Sequence, residues 1–124
     1  MTPLFLKVQP EMIFDQLVAL LDKPNDEVWG LIWSDDALAI LERHHELLIP
    51  EILIAWKQWP MNRQEHLACI LGEVGSEDER LLIIELMLAP DPAVRHRAEE
   101  ALNEHVMTVD IAKRAVPTAT GFKF

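Results

Sequence analysis

Five histidines, at positions 44, 45, 66, 96 and 105, and one cysteine, Cys69, are the side chains of this 124-residue chain best suited to hold a soft metal or to attack a substrate. His66 and Cys69 stand one helical turn apart, and His96 has Glu99 and Glu100 beside it. Credible zinc spacing draws paired ligands from two segments, and neither C-x-x-C nor H-E-x-x-H occurs, so no metal site is expected. Nucleophilic catalysis has no better footing. Ser34 and Ser76 both fit helix caps, there is no Gly-x-Ser-x-Gly elbow, and Cys69 falls within an amphipathic stretch. The glycines form neither a G-x-G-x-x-G array nor a P-loop, which leaves no phosphate cradle and no expected cofactor. The chain reads as a non-enzyme.

Two other residue types could instead support recognition. Trp29 and Trp33 are four apart and Trp56 and Trp59 three apart, so each pair can share a helix face. Packing is the plainer use of such rings; an exposed tryptophan, however, is a frequent binding hot spot, because a rigid ring buries much area at little entropic cost. The second type is acid. Lys and Arg total 11 against 21 Asp and Glu, a formal charge of −10, which disfavours nucleic acid as a direct ligand. The imbalance is uneven. The last fourteen residues carry Lys113, Arg114 and Lys123 and no acid, so the body of the chain is more acidic than the total suggests.

The elements that would position these residues are helical. Half the residues are hydrophobic, enough for one domain with a sizeable core. No stretch alternates polar and apolar residues over strand length, whereas apolar residues recur three and four apart. Leu67, Ile70, Leu71 and Val74 form one such stripe, and Val94, Ala98, Ala101, Leu102 and His105 another. Within the second, His105 reads as a core or interface histidine with a local hydrogen bond. Asn62 before Glu65 and Ser76 before Glu79 fit reciprocal capping boxes. Asp91 followed by Pro92 offers a cap and a first helical position where the missing N–H is no loss. Pro10 and Pro50 should start helices, and Pro24, Pro60 and Pro90 should follow their ends.

The expected helices are 10–22, a short one near 26–33, 35–47, 50–59, 62–74, 77–89 and 92–105, with a weak one near 109–115. Short links between amphipathic helices favour antiparallel neighbours. The division predicted is one helical domain over 1–115 and an extended or flexible tail over 116–124, which contains Pro117, Gly121, Phe122 and Phe124. Met1 to Lys7 does not resemble a signal peptide, and the apolar runs broken by Glu85 fall short of the ~20 residues a bilayer requires. With a single cysteine there is no case for an internal disulfide. A soluble cytoplasmic protein without membrane contact is expected.

A shift of 31 residues lays Leu67 on Ala98, Ile70 on Ala101, Leu71 on Leu102 and Val74 on His105, and upstream lays Ile52 on Ile83 and Trp56 on Met87. Such a period, with two helices per unit, marks a solenoid. The segment Leu81 to Leu88, the turn Ala89-Pro90-Asp91-Pro92-Ala93-Val94-Arg95, and Ala98 with Ala101-Leu102 resemble the HEAT repeat; Leu67 to Ser76 resembles the second helix and exit of the preceding unit. The resemblance is good over 60–105 and fair back to about 48. It implies a short right-handed stack of about three antiparallel helix pairs, with Arg95 bonding the turn between helices and second helices lining the inner, concave side. The acids on those helices are Asp35, Asp36, Glu42 and Glu46, then Glu65 and Glu73, then Glu99 and Glu100 with His96 and Asn103 nearby. These ten, with Trp29 and Trp33, are the expected partner-binding residues.

The function expected from this reading is capture of a basic protein partner on an acidic inner face. Size and charge, by analogy with small acidic immunity proteins, narrow it to an inhibitor of a basic, nuclease-type toxin in bacterial competition. The alternatives are an adaptor or assembly chaperone and, further off, a lyase-type or other enzyme on a helical-repeat scaffold.

Overall fold

The structure is a computed structural model; it describes the backbone of residues 10–24 and 28–121 and the side chains of residues 12–24 and 28–114. Five helices and no strand occur among the described residues. They are α1 (Pro10–Leu21), α2 (Ser34–Ala55), α3 (Met61–Ile70), α4 (Glu77–Leu86) and α5 (Pro92–Gly121), with a π-type turn at Trp29–Trp33 and a 3-10 turn at Trp56–Gln58.

Each helix buries the stripe its spacing defines. Ile13, Leu17 and Leu21 of α1, Ala37, Leu41, Leu48 and Ile52 of α2, Leu67 and Ile70 of α3, Leu82, Ile83 and Leu86 of α4, and Val94, Ala98 and Ala101 of α5 join in one core. Full burial of each Leu or Ile contributes about 1.5–3 kcal/mol. Helix α1 packs on α2 and α3, α2 also meets α3 and α4, and α5 lies against both α3 and α4. Among the described helices none is long and apolar enough to cross a membrane.

Four boundaries differ from the sequence reading. The break expected before Pro50 lies instead at His44, whose φ of −123° and ψ of 25° interrupt α2 while helix continues through Pro50 to Ala55. A proline inside a helix forgoes one hydrogen bond, and Pro50 is exposed, so water can serve the carbonyl it leaves open. Asn62 does not cap α3. The helix starts one residue earlier, the Pro60 carbonyl accepts from Gln64 N at 3.1 Å, and no side chain caps it. Its end comes early as well: Leu71 is extended and Gly72 takes φ +120°, so Val74 belongs to a connecting loop rather than to the helix. Finally, α5 runs unbroken to Gly121, merging the helices expected at 92–105 and 109–115 and carrying helix through residues 116–121 of the segment expected as an extended or flexible tail. Phe122, Lys123 and Phe124, like residues 25–27 of the predicted short helix, lie outside the described residues.

One histidine and two tryptophans tie the helices together. His66 of α3 points Nδ1 at the Leu21 carbonyl, 2.8 Å away; that oxygen can only accept, so Nδ1 carries the proton. The other face of the ring stacks on Trp29 at 3.8 Å between centroids and 9° between planes. Trp29 Nε1 in turn donates to the Leu20 carbonyl. Trp59 meets Phe14 of α1, and Arg63, over the Trp59 ring, pairs with Asp22 at 2.8 Å. The turn between α4 and α5 is closed by Arg95, whose Nη1 donates to both the Ala89 and Pro90 carbonyls at 2.8 Å. That is the part the repeat resemblance implied for it.

Candidate functional site: an acidic face held by a buried glutamate

The loop 71–76 is fixed by one buried carboxylate. Glu79 is wholly enclosed, and its two oxygens accept from the amides of Gly72 (2.7 Å), Val74 (3.2 Å) and Gly75 (2.9 Å) and from His105 Nδ1 (2.6 Å). A buried charge is tolerable only when so satisfied. Ser76 caps α4 as expected, its hydroxyl accepting from Glu79 N. The Glu79 side chain, however, serves the loop amides ahead of the cap, so the box is only half of the anticipated one.

Two glycines let the loop lie flat on α5. A Cβ at Gly72 would stand 2.7 Å from Glu104 Cβ, and one at Gly75 3.1 Å from Thr108 Cγ2. The Thr108 hydroxyl closes the contact by donating to the Gly72 carbonyl at 2.8 Å. The outcome is that Glu73, between these glycines, is held at the mouth of a cleft between α3 and α5. That cleft, about 300 Å³, is lined by Ala68, Cys69, Leu71, Glu73, Arg97, Glu100, Ala101 and Glu104.

The electrostatics of Glu73 identify its neighbours. Partial desolvation pushes its carboxyl above the ordinary 4.5, and the charges of Glu42, Glu104, Glu79 and Asp35 push it the same way. Glu42, Glu73 and Glu104 lie 31 residues apart in succession, the spacing at which the sequence repeats its apolar pattern, and come one each from α2, the loop and α5. Among the described residues none of the three is in ion-pair contact with a base. On the cleft's other side Arg97 bridges Glu65 (3.7 Å) and Glu100 (3.3 Å). Cys69 beside it is pushed up by burial, with Arg97 pulling the other way, so it is no activated thiolate.

Of the twelve expected binding residues, Asp35, Glu42, Glu73 and Glu100 come together on this face, and Glu65 joins through Arg97. The others do not. Helical spacing turns Glu99 and Asn103 to the outward side of α5, and His96, whose Nε2 sits 3.4 Å from Glu100 Oε2, stands at the edge of the face without lining the cleft. Asp36 lines a separate hollow with Lys23 and Trp33, and Glu46 is exposed beyond the break at His44. Trp29 is 4% exposed, so its ring is spent in the core and offers a partner nothing. Trp33 is half-buried beneath Lys23 Nζ, 4.8 Å from its ring centre. Glu104 was missed by sequence reasoning, although the 31-residue shift that lays Glu42 on Glu73 also lays Glu73 on Glu104.

No group of three or more His, Cys, Asp or Glu side chains among the described residues has the geometry to hold a metal ion. Comparison with protein-family models, with curated proteins and with solved structures gives no match to this chain.

Proposed function

We propose that this chain is a non-catalytic binding module, a short stack of HEAT-like helix pairs that holds a basic protein partner along the row formed by Glu42, Glu73 and Glu104. The observation that carries this reading is the row itself: Glu42 and Glu104, each 31 residues from Glu73, bear on its carboxyl by repulsion, and among the described residues no base is in ion-pair contact with the three. Helices stack about 8–10 Å apart, so a partner with lysines or arginines at similar intervals would meet one carboxylate per unit. Such a surface is costly for the free protein and useful only against positive charge. The stacking reading draws on the closure of the α4 to α5 turn by Arg95 and on the lateral contacts of α3 with α5 and of α2 with α4.

Within that class the narrower reading is an inhibitor of a basic, nuclease-type toxin. A cleft that binds phosphates is itself positive, and a row of fixed carboxylates masks it without any catalytic group. The test is capture of the partner from native lysate at low and high salt by the parent chain and by the triple variant Glu42→Lys, Glu73→Lys, Glu104→Lys. One basic protein, released by salt, lost by the variant and toxic when expressed alone, is the expected result. A non-toxic subunit retained in the same salt-sensitive way would replace inhibitor by adaptor. Unchanged capture by the triple variant would defeat the acidic-face reading.

A further inference from the structure

Toward the C-terminal end of α4, away from Glu79, a second cavity of about 540 Å³ opens between the 3-10 turn, α3 and the α4 to α5 turn, lined by Trp56, Lys57, Gln64, Glu85, Leu88 and Pro90. Its centre is Trp56, which is held twice. The indole Nε1 donates to Glu85 Oε1 at 2.7 Å, and the backbone carbonyl accepts from Gln64 Nε2 at 3.1 Å. The Gln64 amide also donates to the Trp59 carbonyl at 3.0 Å, which fixes which end of the amide faces which way. Gln64 is 5% exposed, and its Oε1 has no hydrogen-bond partner in the structure. An unmet buried acceptor costs about 1–3 kcal/mol. Trp56, Leu88 and Pro90 give the cavity its apolar walls, and Leu88 at the rim is 81% exposed.

We propose that this pocket binds a primary ammonium on an aliphatic stem, the side chain of a lysine presented by a protein partner. The stem packs between Trp56, Leu88 and Pro90, while the three N–H groups of the head find the second Glu85 oxygen and Gln64 Oε1. An anionic head group would meet the Glu85 carboxylate and is disfavoured. Lys57, exposed on the 3-10 turn, lines the same cavity, and no ion pair joins it to Glu85. The assignment extends the reading of a basic partner, but the pocket can be tested without one.

The experiment is an NMR titration of the full chain with n-pentylammonium and, separately, with pentanoate, following the Trp56 indole N–H and the Gln64 side-chain amide. Saturable shifts at both groups with the amine and none with the acid are expected. Glu85→Gln should weaken the amine about tenfold, the effect of one charge-assisted contact. Leu88→Lys, at an exposed position that leaves the core intact, should abolish the response by placing an ammonium of the chain's own at the mouth. Equal shifts with pentanoate, shifts confined to residues around Glu73 and Glu104, or no shift at all would overturn the proposal and leave solvent as the donor to Gln64. Amine binding that persists in the triple Lys variant separates this pocket from the acidic row; a failed partner capture with intact amine shifts would count against the row alone.

Discussion

Glu79 Oε1 and His105 Nδ1 lie 2.6 Å apart in the core, joining the first turn of α4 to the middle of α5 across 26 residues. The pair does more than link two helices. The same carboxylate gathers three amides of the 71–76 loop, so the loop's path, the placement of Glu73 and the seating of α5 depend on one side chain.

Replacing Glu79 with Ala should therefore be among the most destabilising single changes in the chain. Three amides and an imidazole would lose their acceptor inside the core, and breaking a buried pair from one side costs about 3–5 kcal/mol. Urea unfolding would measure it. Glu79→Gln keeps one acceptor oxygen and should lose less. If Glu79→Ala unfolds within about 1 kcal/mol of the parent, water is meeting those donors and the loop is not held as described.

Two glycines should respond in opposite ways to alanine. Gly72 has φ +120°, and an added Cβ would press on Glu104 Cβ at 2.7 Å and on the Ala101 carbonyl at 3.0 Å, so Gly72→Ala carries both backbone strain and overlap. A loss of roughly 2 kcal/mol or more is expected, in the range of strain and overpacking combined. Gly30 has ordinary helical torsion and nothing within 4 Å of the same atom. There Gly30→Ala should raise stability by about 0.5–1 kcal/mol, through the entropy of the unfolded chain. Thermal melts of the two variants, compared with the parent, decide both.

The sequence made the helical stripes legible because a helix repeats its buried side every three to four residues, and every stripe read for α3 and α5 except Val74 and the partly buried Leu102 is buried in the structure. What it hid were contacts made over long separations. His105 was expected to bond locally; its partner is Glu79, which local spacing assigns to a capping box. Pro50 looked like a boundary by its chemistry, but the chain bends at His44, where nothing in the residue type announces it. The acidic face was half legible. Helix by helix, Glu99 and Asn103 look as suitable as Glu104; only the repeat register, followed one unit further, distinguishes the carboxylate beside Glu73 from those turned outward. Trp29 shows the opposite error, since an aromatic pair four apart cannot reveal that a histidine 37 residues on covers one of its rings.

Arg95 offers a test of the turn between α4 and α5. Its guanidinium donates to two carbonyls that the end of α4 leaves open, and these bonds are charge-assisted. Arg95→Ala should cost about 1.5–3 kcal/mol per the usual worth of such bonds. Arg95→Lys should recover only part, because the lysine stem is one bond shorter and does not carry its ammonium to the place from which Nη1 donates to both carbonyls. Hydrogen exchange would locate the damage: amides of Leu88, Ala89 and the first turn of α5 should lose protection while those of α1 do not. Uniform loss of protection would mean that the turn opens only with the whole domain.

Glu73 makes the acidic row testable without a partner. Its carboxyl is held above 4.5 by partial desolvation and by Glu42, Glu104, Glu79 and Asp35. For an acid raised in the folded state, the folded protein binds the proton more tightly than the unfolded chain does, so ionisation costs stability as pH rises through the raised value. Glu73→Gln removes that cost. The variant should be more stable than the parent near neutral pH, by about 0.3–0.5 kcal/mol as for other exposed like-charge neighbours, and the gain should vanish only as pH falls well below 4.5, where the parent carboxyl is protonated in both states. Added salt should shrink the difference in the same direction, since the charges are open to solvent. Urea unfolding of parent and variant across this pH range reads the effect directly. A variant less stable than the parent at neutral pH would mean that Glu73 is held by a favourable contact, and the row would then have no unmet negative charge to offer a basic partner.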